Sequence, residues 1–226
     1  MLTFNNIEFN YKNQPVFIDL NLNIDEGEFV FLVGKSGSGK TTLLQMIYMN
    51  IIPHSGYMQF DRFSSDTIKP KSLPDLRRNI GIIFQDFKLL EDRTVYENLA
   101  FILQITGVKS KQIKRKVFQV LSEVGLAHKQ KNKLNQLSGG EQQRIAIARA
   151  IINDPKLIIA DEPTGNLDPE TSEEILDILT TINKRGTSVL FATHDYELVK
   201  KHKARILRLR GGIAEEVRHD ELKTIT

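Results

Sequence analysis

The stretch "GKSGSGKTTLL", Gly34 to Leu44, decides how the rest of this chain is read. Gly34, Gly39, Lys40 and Thr41 meet the spacing G-x-x-x-x-G-K-[ST]. Gly34, Gly37 and Gly39 let the backbone turn its N–H groups inward around a polyphosphate. Lys35, Ser36, Ser38 and Thr42 complete that loop. Lys40 is placed to reach β- and γ-phosphates, and the Thr41 hydroxyl to ligate Mg²⁺. The surroundings agree: "EFVFLV" (28–33) is a short apolar run of strand type, and "TTLLQMIYM" (41–49) has helical character. A helix starting there brings its positive dipole end to the phosphate. Nucleotide binding follows, while kinase, switch, pump and nucleic-acid machine all remain open.

The 226 residues suit one large domain or two small ones. Hydrophobic residues at 40% and charged residues at 26% belong to a globular protein with a real core. A net charge of +3 gives no electrostatic case for nucleic acid, and none is expected as a partner. With no cysteine, disulfides and thiolate metal sites are excluded. No apolar run approaches bilayer-spanning length. The start "MLTFNNIEFN" lacks a basic region and a long apolar core, so no signal peptide is expected. The expectation is a cytoplasmic polypeptide whose membrane role, if any, comes through a partner.

The first residues alternate in β fashion: Leu2, Phe4, then Ile7, Phe9, Tyr11, then Ile18, Leu20, Leu22, Ile24 with polar residues between them. That pattern predicts an antiparallel sheet with one wet face, to which "SGYMQF" (55–60) returns. "NIGIIF" (79–84) is a buried strand. From Arg93 to Gly125 the period turns helical, with Ile113, Val117, Val120, Leu121 and Val124 on one face. The last third alternates strand and helix: "KLIIAD", then "PETSEEILDILTTINK", then "TSVLFAT". Short, wholly apolar strands between helices predict a parallel sheet covered on both faces. The fold class is α/β, in one mixed domain.

"LIIADEPTGNLD" places Asp161 at the end of an apolar strand, where open parallel sheets bind ligands. Asp161 can hold Mg²⁺ opposite Thr41. Glu162 is then free to orient the water that attacks a γ-phosphate; the alternative is an acidic pair that caps the next helix. "LNQLSGGEQQRIAIARA" adds a second anion-binding helix start at Ser138, Gly139, Gly140 and Glu141. A chain with one nucleotide loop has little use for it unless it serves another molecule's nucleotide.

At this point the sequence resembles the ABC (ATP-binding cassette) ATPase family over essentially its whole length. The phosphate loop, Gln85, "LSGGEQQ", "IIADEP", "GNLD" (165–168) and "ATHD" (192–195) stand in family order. The resemblance implies a P-loop NTPase core of RecA-like parallel type, an antiparallel β-subdomain, and a helical subdomain inserted at about 86–153 of a single domain spanning 1–226. It implies ATP hydrolysis with ATP and Mg²⁺ bound, in a homodimer with two ATP sandwiched. Gln85 would touch Mg²⁺ or the attacking water and hinge the helical part. His194 would bond the γ-phosphate and hold Glu162. Asp168 would reach across the dimer, with Ser138 to Glu141 completing the partner's site. Tyr11 matches the aromatic that stacks on adenine, though an ordinary strand aromatic is the other reading.

"GIIFQDFKLLEDRTVYENLAF" (81–101) is similar to the cell-division branch of the family. This implies an FtsX-like polytopic membrane protein as partner, a peripheral place on the inner face of the cell membrane, and control of peptidoglycan hydrolysis. The competing reading is an ATPase of a lipoprotein-release or macrolide-export transporter. Phe87, Leu89 and Leu90 suit either a socket for the membrane partner's short helix or packing within the helical part. "YMNIIPHSG" (48–56) departs from the family's turn after the first helix. The basic run "KSKQIKRK" (109–116) carries no aromatic and is expected to be a solvated helix face rather than a lipid-binding one.

Overall fold

A computed structural model of the chain describes residues 1–12 and 14–224. β1 (Leu2–Tyr11), β2 (Gln14–Ile24) and β3 (Phe29–Val33) lead into α1 (Lys40–Ile47). β4 (Ser55–Phe60), β5 (Phe63–Ser64), α2 (Leu73–Arg78) and β6 (Ile80–Ile83) follow. A helical stretch holds α3 (Val95–Ile105), α4 (Ser110–Glu123) and α5 (Gly139–Ile151). The chain then alternates through β7 (Leu157–Asp161), α6 (Pro169–Asn183), β8 (Ser188–Thr193) and α7 (Tyr196–Lys200), before the hairpin of β9 (Arg205–Arg210) and β10 (Ile213–Val217).

Two sheets result. One is antiparallel in the order β2-β1-β4-β5; the other has the order β10-β9-β3-β8-β7-β6 and is parallel except for β10. The period of two along the central strands sorts the core. Phe31, Val33, Ile158, Ala160, Val189 and Phe191 pack with α3 to α6, while Val30, Leu32, Ile159, Leu190 and Ala192 pack with α1 and the antiparallel sheet. Both faces of the parallel sheet are therefore dry, as its apolar strands predict.

The antiparallel sheet departs from simple alternation at one place. Ile18 was expected to point inward with Leu20; it is 54% exposed, and Phe17 is buried instead. Asp19 (φ 56°) and Asn6 (φ 47°) adopt left-handed backbones, and the pairing register shifts between Phe4 and Ile7 and again before Phe9. A bulge of this kind inverts the facing of every residue on its far side. The Asn6 amide locks it, donating to Asp19 Oδ1 at 2.6 Å, while Asn6 N–H donates to Asn21 Oδ1 at 2.8 Å.

The helical stretch is built on caps and one apolar stripe. Thr94 and Glu97 form a reciprocal capping box at the start of α3. On α4, Ile113, Val117, Val120 and Leu121 are buried, and Lys111, Lys114 and Arg115 point to solvent. Among the described residues no helix is long and apolar enough to cross a membrane.

Candidate functional site: a phosphate loop at the edge of the parallel sheet

Four neighbouring strands, in the order β3-β8-β7-β6, deliver their following residues to one edge of the sheet. β3 leads to the phosphate loop, β8 to His194, β7 ends in Asp161, and Gln85 lies two residues past β6. This is where open α/β sheets place ligands.

The loop is shaped as a cradle. Gly37 (φ 78°) and Gly39 (φ 100°) take left-handed backbones. A Cβ on Gly39 would fall 2.9 Å from both the Phe17 ring and Val16, and one on Gly34 would fall 2.9 Å from the Leu209 carbonyl. No larger residue fits. Lys40 is 5% exposed, and its Nζ donates to the Gly34 carbonyl at 2.8 Å and the Lys35 carbonyl at 3.4 Å. The Ser38 hydroxyl lies close against Gly34, buried and with no hydrogen-bond partner among the described residues.

The carboxylates sit beside it in different environments. Asp161 is hydrogen-bonded to the Thr41 side chain; burial pushes its pKa up, the Thr41 bond and Lys40 oppose that, and Glu162 adds to it. Glu162 adopts a left-handed backbone (φ 47°), fixed by its N–H donating to Ala192 O of β8 at 2.9 Å. That turn aims the side chain back toward the loop. Its Oε1 lies 3.4 Å from Lys40 Nζ and its Oε2 lies 2.8 Å from His194 Nδ1. A cavity of about 480 Å³ is lined by Tyr11, Ser36, Gly37, Gly39, Lys40, Thr41, Thr42, Gln85, Asp161 and Glu162, among others. Tyr11 is 47% exposed at its rim, edge-on to Phe9 with ring centres 4.9 Å apart. The glycine cradle, the Lys40 ammonium and the Thr41–Asp161 oxygen pair fit a nucleoside triphosphate with Mg²⁺.

Ser138, Gly139, Gly140, Glu141 and Asp168 do not line that cavity. Ser138 caps α5: its hydroxyl accepts from Glu141 N–H at 3.2 Å, and Glu141 Oε2 accepts from Ser138 N–H at 2.9 Å. Lys129 pairs with Glu141 at 3.0 Å. Asp168 caps α6, accepting from Thr171 N–H at 3.0 Å and from the Thr171 hydroxyl at 2.6 Å. Gly140 faces the same threonine so closely that a Cβ would lie 2.6 Å from Thr171 Cγ2. Within one chain these residues form a separate surface.

Near Gln85, a second cavity of about 640 Å³ is lined by Phe87 and Leu89 together with Asp86, Lys88, Glu91, Lys133 and others. Leu89 also packs partly against the helical core. Leu90 is 37% exposed and does not line the cavity; its backbone is fixed by the buried Asn98, which accepts from Leu90 N–H at 2.8 Å and donates to its carbonyl at 3.1 Å.

Two residues of α5 that sequence reasoning passed over reach this region. Gln143, wholly buried, donates through Nε2 to the Pro163 carbonyl, next to Glu162. Arg149 donates to the carbonyls of Phe87 and Lys88, just beyond Gln85. The signal for Gln143 was its place four residues before Ile147, on the helix's buried face.

A family model described as ABC transporter matches residues 17–165. The chain belongs to the ABC transporter family, and its fold is that of an ATP-binding cassette. The cell division ATP-binding protein FtsE of Mycobacterium tuberculosis is 46% identical over 214 residues, 94% of this chain and 93% of the relative. FtsE of Bacillus subtilis is 49% identical over 194 residues, 86% and 85% of the two chains. A solved dimeric ATP-binding cassette in a post-hydrolysis state, bound to ADP and Pi, is 34% identical with a TM-score of 0.83, covering 96% of this chain and 99% of that one.

Proposed function

We propose that this chain is the ATP-hydrolysing subunit of an FtsE-like complex, dimerising around two ATP and driving an FtsX-like polytopic membrane protein that regulates peptidoglycan hydrolysis in cell division. The observation that carries the catalytic part is Glu162, held between Lys40 and His194 beside the phosphate loop. The FtsE relatives, at 46% and 49% identity, support the cellular part.

In this reading the loop's N–H groups and Lys40 bind the phosphates, and Tyr11 stacks on adenine. Glu162 orients the attacking water and accepts its proton as the water oxygen attacks the γ-phosphorus, and His194 fixes that carboxylate's rotamer. Thr41, Asp161 and Gln85 would hold Mg²⁺, which neutralises charge on the β- and γ-phosphate oxygens. Ser138 to Glu141 and Asp168 serve the nucleotide of a second copy. Residues 86–153 move as a helical unit hinged at Gln85, and the chain sits peripherally on the inner membrane face through its partner.

The test is reconstitution of the chain with an FtsX-like protein in vesicles, alongside depletion in cells. ATP turnover that is lost in Lys40→Ala, with a division defect on depletion, is the expected result. Turnover coupled only to a lipoprotein-release or exporter subunit, with normal division, overturns the cellular part.

A further inference from the structure

Arg149 stands out among the cations of this chain. It is part-buried on α5, it pairs with no carboxylate among the described residues, and burial pulls its pKa below the ordinary arginine value. A desolvated guanidinium needs compensation. Here it comes from two consecutive backbone carbonyls, those of Phe87 (2.9 Å, from Nη2) and Lys88 (from Nη1).

Those two residues are themselves unusual. Phe87 (φ 58°) and Lys88 (φ 51°) are both left-handed and neither is glycine. Consecutive non-glycine residues do not hold that conformation unless their surroundings impose it. Within the loop, Phe87 N–H donates to Phe84 O at 3.2 Å and Lys88 N–H to Asp86 O at 2.5 Å, while the Lys88–Asp86 ion pair is exposed on both sides. The fork of Arg149 is the restraint that comes from outside the loop, arriving part-buried from a helix 62 residues away in sequence.

We propose that Arg149 is a positioning residue: by gripping the Phe87 and Lys88 carbonyls it holds the loop after β6 in its left-handed shape. It thereby sets where Gln85 stands at the nucleotide site and where Phe87 and Leu89 stand in the neighbouring cavity. The α5 helix begins at Ser138, so the segment that meets a second copy's nucleotide is rigidly joined to the loop that carries Gln85. Contact at Ser138 is passed along one helix to the loop. This inference rests on the ATPase reading above for its kinetic consequence, though not for its structural one.

The experiment uses Arg149→Ala and Arg149→Lys in the full chain, and Arg149→Ala combined with Lys88→Gly. Three quantities are read: kcat against ATP affinity, amide hydrogen exchange across residues 85–91, and thermal melting. Arg149→Ala should lower kcat by about tenfold to a hundredfold, as expected for a misplaced site loop, with ATP affinity within about threefold. Exchange should quicken in residues 85–91 and stay unchanged in β6 and α1. Lys88→Gly, which removes the left-handed cost at one residue, should restore part of the lost kcat; a role in packing alone would not respond to it. If Arg149→Ala does not fold, Arg149→Lys, which keeps the charge and loses the two-pronged grip, is read by the same measures. Unchanged turnover, unchanged exchange at 85–91, or no recovery on adding Lys88→Gly each overturns the proposal. If the unmodified chain has no turnover that Lys40→Ala abolishes, the ATPase reading fails, while the exchange measurement still decides the grip.

Discussion

Glu162 Oε2 lies 2.8 Å from His194 Nδ1, although the two side chains arise beyond different strands, β7 and β8. The left-handed turn at Glu162 and its backbone bond to Ala192 make the meeting possible. The strain of that turn, about 1–3 kcal/mol, is spent on aiming one carboxylate. Glu162→Gln keeps the shape and removes the base. ATP binding should persist, turnover should fall by at least about a hundredfold, and an ATP-dependent dimer should accumulate in size-exclusion runs with Mg²⁺. A variant that keeps near-native turnover, or stays monomeric, contradicts the role given to Glu162.

Ser138 and Lys40 belong to separate surfaces of one chain, and that separation can be tested by mixing. Lys40→Ala chains and Ser138→Arg chains are each expected to be inactive. Their heterodimer has one doubly broken site and one intact site, so the mixture should regain activity that neither variant has alone. Absence of recovery with heterodimers demonstrably formed would count against head-to-tail sites that can fire singly.

Glu141 links the start of α5 to pH. Ser138 N–H, and after it Lys129, hold its carboxyl below the ordinary glutamate range. A folded-state pKa lower than the unfolded one adds stability above the unfolded pKa and loses it as pH falls through the folded value. The group is partly solvated, so the contribution is under about 1 kcal/mol. Glu141→Gln should therefore melt up to about 2–4 °C lower near neutral pH. The gap should close as pH is lowered below the ordinary glutamate pKa. A gap that widens on acidification reverses the sign argued here.

Much of this molecule was legible in the sequence because its signals are local. Periods of two and of 3.6 residues gave both sheets and the stripe on α4, and the glycine spacing gave the cradle. Ile18 was misplaced because a bulge is set by a left-handed Asp19 and its partner Asn6, which alternation does not reveal. A helix cap at Ser138 was legible beside its interface role, whereas the capping role of Asp168 was masked by the interface role that the family resemblance suggests. Arg149 and Gln143 were missed for a different reason. Arg149 looks like an ordinary polar position of an amphipathic helix, Gln143 is marked only by its place on the buried face, and their targets are backbone carbonyls 62 and 20 residues away, which carry no side-chain signature.

Gln143 supplies the last prediction. Its side chain is wholly buried; Nε2 donates to the Pro163 carbonyl, and Oε1 has no partner among the described residues. An orphaned buried acceptor costs about 1–3 kcal/mol, whereas the single bond to Pro163 returns about 1 kcal/mol. On stability alone, Gln143→Leu should be close to neutral, because it deletes the orphan while stripping Pro163 of its donor. Gln143→Glu should be clearly worse, since an acidic side chain would face the Pro163 carbonyl in a dry place. The reason to keep glutamine then lies in what Pro163 adjoins: it follows Glu162 directly, and the bond pins that turn to the helix of Ser138. Gln143→Leu should melt within about 2–4 °C of the unmodified chain and bind ATP normally, yet turn it over several-fold more slowly. Melting curves and single-turnover rates on the two variants decide it; a leucine variant with full turnover would leave Gln143 as packing alone.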